Sequence, residues 1–144
     1  MKKVVLIFTA LFMLALSSIC MAADGGDLNK EQKNAELFIS GITTNNVVYD
    51  KFSAYFDASL KEKLSNNGYD TLKNEVKTKF GDLKEYKFYS FERYDKQDKV
   101  TYITSFSKEE IVAMVFIFNK DGKLAEFGLM PMQKQEQSTE QSAQ

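Results

Sequence analysis

The chain has 144 residues, with nineteen Lys and Arg against twenty Asp and Glu, one cysteine and no histidine. The lack of histidine removes the commonest general base and the commonest zinc ligand, and a single cysteine excludes a disulfide within the chain. A formal net charge of −1 without a basic cluster is not the charge pattern that nucleic acid binding requires.

The first predicted element is an export signal. Two lysines precede an unbroken apolar run over residues 4–16, and small residues follow that run. The run is shorter than the ~20 residues needed for a membrane anchor that spans the bilayer. It predicts a signal peptide over residues 1–23, cleaved near Ala22 or Ala23, and a mature protein in the periplasm or the extracellular medium.

A lipid-modified Cys20 is the alternative fate of this segment, because "SSIC" places the cysteine at the end of the apolar run. The bacterial lipoprotein motif requires a small residue just before the cysteine, and Ile19 is not small.

Cleavage removes two lysines and leaves seventeen basic residues against twenty acidic ones, a net charge near −3. The cleaved chain is expected to have no membrane span.

Helices are predicted to open the mature domain. Residues 24–29 are assigned to an N-terminal linker, and Asn29 with Gln32 resembles a capping box that begins a first helix. The apolar residues of this helix recur at helical spacing: Ala35, Phe38, Ile39 and Ile42. The polar stretch "TTNN" that follows then ends the helix.

Two further helices are predicted, which makes three in all. The second carries an apolar stripe formed by Val48, Phe52, Tyr55 and Phe56. The third repeats its apolar residues along one face: Tyr69, Leu72, Val76 and Phe80. Gly81 follows at the position where a helix commonly ends in a left-handed residue.

The rest of the domain is predicted to be a four-stranded antiparallel meander. The turn "NKDG" suits a left-handed Gly122, which pairs Asn119 with Lys123 and sets the register of the last two strands. A two-residue loop at Lys108 and Glu109 sets the register of the strand before them. The predicted fold class is therefore α+β, with three N-terminal helices packed on a curved antiparallel sheet.

The domain is assigned to residues 30–131. Residues 132–144 contain few large apolar side chains and are predicted to form a disordered polar tail.

The predicted register divides the sheet into two faces. On the inner face, which should meet the helices, the last hairpin pairs Ile117 with Ala125, Val115 with Phe127, and Ala113 with Leu129. The outer face mixes polar residues with an apolar set: Ile103, Val112, Met114, Phe116, Phe118 and Met130. An apolar patch ringed by polar groups is typical of an interface, here with a partner or in a homodimer. The alternative is that the tail or a loop covers the patch.

A candidate ligand site lies on the predicted inner face. Arg93, the only arginine, is placed there near Tyr89, Tyr102 and Thr104. A guanidinium beside aromatic rings could bind a carboxylate or another anion. The alternatives are that Arg93 pairs with a helix carboxylate such as Asp57, or lies along the sheet edge in water.

Several short motifs stand out together. Tyr49, Lys51 and Phe56 lie at fixed spacing in the second predicted helix, and "FNKDGKL" forms the last predicted hairpin. Between them stand Leu60, Lys61, Leu64, Ser65, Phe80 and Gly81. Together these motifs resemble a bacterial group of uncharacterised domains in the nuclear-transport-factor-two-like, or cystatin-like cone, superfamily. The resemblance covers residues 30–131. Members of the group occur alone behind export signals or fused ahead of α/β-hydrolase domains, which implies an accessory or binding role.

No cofactor motif and no metal site is predicted. The sequence has no phosphate loop, nucleophile elbow or dinucleotide fingerprint, and its turns lack the alternating oxygen ligands of a calcium loop. The predicted function is a non-enzymatic module that binds a partner protein or a small apolar or acidic ligand. The alternatives are a structural envelope protein and an isomerase- or hydrolase-type enzyme. That enzyme would need an inward carboxylate hydrogen-bonded to an inward tyrosine.

Overall fold

The structure is a computed structural model that describes residues 25–133. Its helices are α1 (Gly25–Thr43), α2 (Tyr49–Phe52), α3 (Ala58–Lys63) and α4 (Asn66–Phe80). Its strands are β1 (Leu83–Arg93), β2 (Gln97–Phe106), β3 (Val112–Asn119) and β4 (Leu124–Pro131). The strands form one antiparallel sheet in sequence order, so the fold is α+β. The predicted signal peptide and nearly all of the predicted tail lie outside the described residues.

The described residues contain four helices rather than the three predicted, because the expected second helix ends at Phe52 and the short helix α3 follows it. The segment between these two helices instead hydrogen-bonds to the sheet: Leu124 N–H donates to the Tyr55 carbonyl over 2.7 Å, and Asp57 N–H donates to the Leu124 carbonyl over 2.9 Å. The Asp57 carboxylate then caps α3 by accepting from Leu60 N–H at 2.7 Å. This segment covers part of the outer edge of β4.

Helix α1 begins at Gly25, inside the segment predicted to be a linker. Asn29 therefore lies within the helix, and the predicted capping box is wrong. Asp27 lies in the first turn, where a carboxylate is stabilised by the positive end of the helix dipole. The same carboxylate accepts a hydrogen bond from Arg93 at 3.0 Å, which ties the first turn to the sheet.

Phe38 of α1 is the centre of the aromatic core. Its ring centroid lies 4.9 Å from that of Phe52, 5.4 Å from that of Phe116 and 4.5 Å from that of Phe127. Such pairs contribute about 0.5–1.5 kcal/mol each beyond the burial of their area. The helices and the sheet are therefore joined through one side chain on α1 that contacts both.

The predicted faces of β3 are wrong. Four of the predicted outer-face residues are 0% exposed and belong to the core: Val112, Met114, Phe116 and Phe118. The connection after β2 spans residues 107–111 rather than two residues, so Thr104 pairs with Val112. Because successive side chains of a strand alternate between faces, this shift by one residue turns all of β3 over.

A bulge in β4 shifts the register between β3 and β4 by one residue. Phe118 pairs with Leu124, but Ile117 pairs with Glu126, which leaves Ala125 as an extra residue. The bulge places Leu124 on the same inner face as Phe127 and Leu129. The inward prediction for those last two residues is therefore confirmed, although their predicted partners are not.

A second bulge lies in β1. Phe88 pairs with Tyr102 and Ser90 pairs with Thr101, so Tyr89 has no partner in β2 and is 70% exposed. The prediction that Tyr89 faces the core is wrong for this reason. Arg93 pairs with Asp98 and keeps the inner position that was predicted for it.

We expect Phe116→Ala to lower the free energy of unfolding by about 3–5 kcal/mol, because it removes a buried ring that contacts Phe38. Val115→Ala, on the half-buried opposite face, should cost about 1 kcal/mol or less. Urea unfolding of both variants measures the difference. A larger loss for Val115→Ala than for Phe116→Ala would show that the two faces of β3 are assigned the wrong way round.

Candidate functional site

The outer face of the sheet carries a continuous apolar strip. Cross-strand pairing places Ile103 beside Ala113 and Ala113 beside Met130 in one row. The neighbouring rows contain Val115 and Ile117. We call these five residues the outer strip: Ile103, Ala113, Val115, Ile117 and Met130. Ile103 and Met130 belong to the predicted interface. The other three were predicted to be core residues on the inner face, and that prediction is wrong.

The outer strip is separate from the cluster in which the helices pack on the sheet, although its member Ala113 is only 5% exposed. The helical residues of the core pack with the inner-face residues of the strands, and no member of the strip belongs to that cluster. Gly128 pairs with Val115, and a Cβ atom placed on Gly128 would meet no atom within 4 Å. The strip therefore has an open depression beside Val115.

Polar groups border one end of the strip. Lys99 Nζ lies 2.8 Å from the Glu92 carboxylate, which also accepts a hydrogen bond from the Tyr94 hydroxyl at 2.6 Å. Burial acts to raise the pKa of Glu92, but the hydrogen bonds from Lys99 and Tyr94 outweigh it and lower the pKa below its ordinary value. Glu92 is therefore ionised at neutral pH, and this end of the strip is hydrophilic.

A second candidate site lies on the inner side of the sheet, where β1 extends past the helices. Tyr86 and Phe88 are 43% and 41% exposed. Their ring centroids lie 5.9 Å and 5.8 Å from that of the buried Tyr102. The Tyr102 hydroxyl donates to Glu36 Oε1 over 3.0 Å. We call these four residues the aromatic corner: Glu36, Tyr86, Phe88 and Tyr102.

Tyr102 is a protonated donor in this corner. Burial, and then the hydrogen bond to Glu36, raise the pKa of its phenol well above the ordinary value. The contact joins an inner tyrosine to an exposed helix carboxylate, which meets only part of the requirement of the enzyme alternative for an inward carboxylate.

The predicted ligand-binding residues do not come together in one site. Tyr102 belongs to the aromatic corner, while Tyr89 projects from its bulge into solvent. Thr104 is buried and donates its hydroxyl proton to the Val112 carbonyl over 2.9 Å. Arg93 belongs to a separate ionic cluster at the end of the sheet. Strict alternation counted back from Arg93 predicts that Tyr89 faces inward. The bulge at Tyr89 shifts this alternation, so Phe88 and Tyr86 face inward instead.

The ionic cluster fastens α1 to two hairpin ends. Arg93 donates from Nε and Nη2 to the Asp98 carboxylate at 3.3 and 3.4 Å, and Lys120 Nζ lies 2.9 Å from the same carboxylate. Arg93 also pairs with Asp27. The alternative prediction of a helix carboxylate as its partner is therefore correct, although the partner is Asp27 and not Asp57. These partners already engage the guanidinium that was predicted to bind an acidic ligand.

Glu31 is the unusual member of this cluster. It is 2% exposed, and its Oε2 atom has no hydrogen-bond partner. Burial, and then the nearby Asp98 carboxylate, raise the pKa of Glu31 to about 8. The adjoining cavity has a volume of about 190 Å³. That volume is below the roughly 300–1,000 Å³ of typical ligand pockets. We therefore interpret the cluster as a set of contacts that holds the fold together rather than as a ligand pocket.

Two further properties concern the described residues alone. Across residues 25–133, no group of three or more His, Cys, Asp or Glu side chains is arranged to hold a metal ion. None of the helices within that range is both long enough and apolar enough to cross a membrane.

We expect Glu31→Gln to reduce the pH dependence of stability, because glutamine keeps the neutral shape of the protonated acid. The folded pKa near 8 exceeds the ordinary 4.5, so the stabilisation from proton binding is complete below 4.5 and is lost as pH rises toward 8. The variant should match the wild type near pH 4 and exceed it by up to a few kcal/mol at pH 8, since each tenfold change in proton affinity is worth about 1.4 kcal/mol.

Thermal unfolding of both proteins across this pH range measures the effect. The difference between the two proteins cancels the titration of the other carboxylates. A difference in stability that does not change with pH would contradict the assignment of a protonated Glu31.

Comparison with known proteins identifies a family. Neither the curated proteins nor the solved structures contain a match to the chain. Residues 35–127, well over half of the chain, match the family described as "Protein of unknown function (DUF3887)". The match covers all of β2 and β3 and the first half of β4, and thus every outer-strip residue except Met130 as well as the aromatic corner. The chain belongs to this family of uncharacterised domains.

Proposed function

We propose that the protein is an exported, non-enzymatic interaction module that associates through the outer strip with a second copy of itself. The observation that carries the proposal is the set of apolar side chains on the sheet face that lies opposite the helix-packed core. The signal-peptide pattern of residues 1–23 supports export. The order of helices followed by an antiparallel meander supports membership of the nuclear-transport-factor-two-like cone superfamily.

The composition of the outer strip favours a protein surface as its occupant. Its centre is aliphatic, and charged groups stand at its border, as at the core and rim of many interfaces. The depression at Gly128 lies beside Val115, so a side chain from a partner can enter the sheet surface there. A two-fold arrangement would place each copy's Val115 near the other copy's depression, which makes the contact self-complementary.

An acidic ligand at Arg93 is less well supported than a protein partner. Its guanidinium already contacts Asp98 and Asp27, and Asp98 is also paired with Lys120. An incoming anion would have to displace a carboxylate from Arg93, and the buried Asp98 would then lose part of its compensation.

An acid–base enzyme is the second candidate, and the 3.0 Å contact between Tyr102 and Glu36 is the observation that favours it. A carboxylate base and a tyrosine donor can together transfer a proton and stabilise a developing oxyanion. Here, however, the single tyrosine proton is donated to the carboxylate itself. Glu36 is also exposed to solvent, so water is not excluded from it. Binding without chemistry is therefore the function that the geometry supports better.

We expect Val115→Glu to prevent association, because a carboxylate would be buried without a partner at the centre of the contact. Sedimentation velocity over a wide concentration range measures this effect. The wild type should move toward the sedimentation coefficient of a dimer as concentration rises, while the variant should stay monomeric.

The matched control is Asn74→Glu, which adds the same charge at an exposed position of α4. It should associate as the wild type does, and circular dichroism checks that both variants remain folded. A wild type that stays monomeric at every concentration, or a Val115→Glu variant that still dimerises, would rule out this interface.

A further inference from the structure

The aromatic corner combines exposed rings with an exposed carboxylate. Tyr86 and Phe88 are two residues apart on β1, and both project over Tyr102. That separation along a strand is roughly 6.6 Å, so a group placed between the two rings lies within the ~6 Å range of cation–π attraction for both. Glu36 stands beside them, held by the Tyr102 hydroxyl.

Glu36 forms no ion pair with any described residue, although the exposed Lys33 lies one turn earlier on the same helix. The only described partner of Glu36 is the neutral Tyr102 hydroxyl, and no described Lys or Arg forms an ion pair with it. The corner therefore presents negative potential from a carboxylate and from the faces of aromatic rings.

Other aromatic rings of the protein already have a cation. Lys73 lies 4.4 Å from the ring centroid of Tyr69, and Lys79 lies 5.2 Å from that of Phe80. Lys123 is 5.9 Å from the ring centroid of Tyr55. Among the described residues, the rings of Tyr86, Phe88 and Tyr102 have no such cation, although they stand beside a carboxylate.

We propose that the aromatic corner binds an organic ammonium ion, with the cation between the rings of Tyr86 and Phe88 and its charge balanced by Glu36. A bulky, weakly hydrated ammonium group suits this site because it makes close contact with ring faces without losing a tight hydration shell. An anion would be repelled by Glu36, and a metal ion would find only one carboxylate among the four residues of the corner. The proposed site lies on the opposite side of the sheet from the outer strip, so either proposal can fail without the other.

Each residue of the corner has a distinct part in this binding. The exposed rings of Tyr86 and Phe88 supply the cation–π contacts, each expected to change affinity about two- to fivefold. Glu36 supplies the opposite charge, and the Tyr102 hydroxyl holds that carboxylate in position. Because the rings and the carboxylate are partly open to water, we expect a dissociation constant in the range of about 0.1–10 mM.

The probe is choline, and the test is an NMR titration of the protein followed through the amide signals of β1 and β2. The matched ligand is 3,3-dimethylbutan-1-ol, which has nearly the same shape but no charge. Choline should shift the signals of residues around Phe88 and Tyr102 in a saturable manner. The neutral alcohol should bind at least about fivefold more weakly, because it lacks the attraction to the rings and to Glu36.

Two variants test the individual contacts. Glu36→Gln retains an acceptor for the Tyr102 hydroxyl but removes the charge, and should weaken choline binding about fivefold or more. Phe88→Ala should weaken it about two- to fivefold. Glu85→Gln is the control. Glu85 precedes Tyr86 in β1 and points to the other face of the strand, so its loss removes one negative charge without touching the corner. This variant should leave choline binding unchanged.

The substituted side chains are exposed, so these variants are expected to fold, and their amide spectra verify that they do. A lack of saturable shifts with choline would overturn the proposal. Equal affinity for choline and the neutral alcohol would also overturn it, since the corner would then be only an apolar surface. Equal losses in Glu36→Gln and Glu85→Gln would mean that the binding reflects net charge rather than this site.

Discussion

The strict alternation of side chains across the sheet is the constraint on which the rest of the structure depends. One extra residue, Ala125, is inserted where β3 and β4 pair, and it places Leu124 on the same face as Phe127 and Leu129. The inner face of that hairpin is therefore large and apolar enough to receive Phe38 from α1. Without the insertion, Leu124 and Phe127 would lie on opposite faces, and the core would lose one of them.

The same constraint creates both candidate sites. Turning β3 so that Phe116 meets the helices necessarily turns Val115 and Ile117 outward, and those two residues form the middle of the outer strip. In β1 the bulge at Tyr89 turns Phe88 inward, toward Tyr102. The chain thus has an aliphatic surface on one side of its sheet and an aromatic, negatively charged corner on the other.

The ionic cluster adds a fixed connection between these layers. Arg93 and Lys120 come from two different hairpin ends, and both contact Asp98, while Arg93 also contacts Asp27 in the first turn of α1. Buried ion pairs add little net stability, but losing one partner is costly. The arrangement therefore acts mainly to hold the start of α1 at one position relative to the strands. The neutral, protonated Glu31 completes the cluster without adding another buried charge.

Local patterns in the sequence were sufficient for much of this fold. The helical spacing that included Phe38 was confirmed by its burial, and the turn at Gly122 was confirmed by a φ of 71° and by the bond from Asn119 N–H to the Lys123 carbonyl at 2.9 Å. These features depend on residues close together in sequence. They could therefore be recognised without knowledge of the tertiary structure.

The bulges could not be predicted in this way. Ala125 and Tyr89 have no composition that distinguishes a bulge from regular strand, and their positions are selected by packing across the sheet. The missed bulge in β4 and the assumed two-residue loop before β3 shift the predicted register of β3 in the same sense, so core was mistaken for interface at Phe116. Glu36 was missed for a similar reason, because its contact with Tyr102 joins residues 66 positions apart.

The central claim is that Val115 and Ile117 face away from the helices and form an accessible surface. It is tested most directly by thiol labelling of the folded protein, with Cys20 replaced by serine and single cysteines introduced as Met114→Cys, Val115→Cys or Ile117→Cys. At concentrations low enough to keep the protein monomeric, cysteines at the two partly buried positions should react rapidly, and the one at the fully buried position should react only as the protein unfolds. Rapid labelling at position 114 together with protection at 115 and 117 would contradict the account.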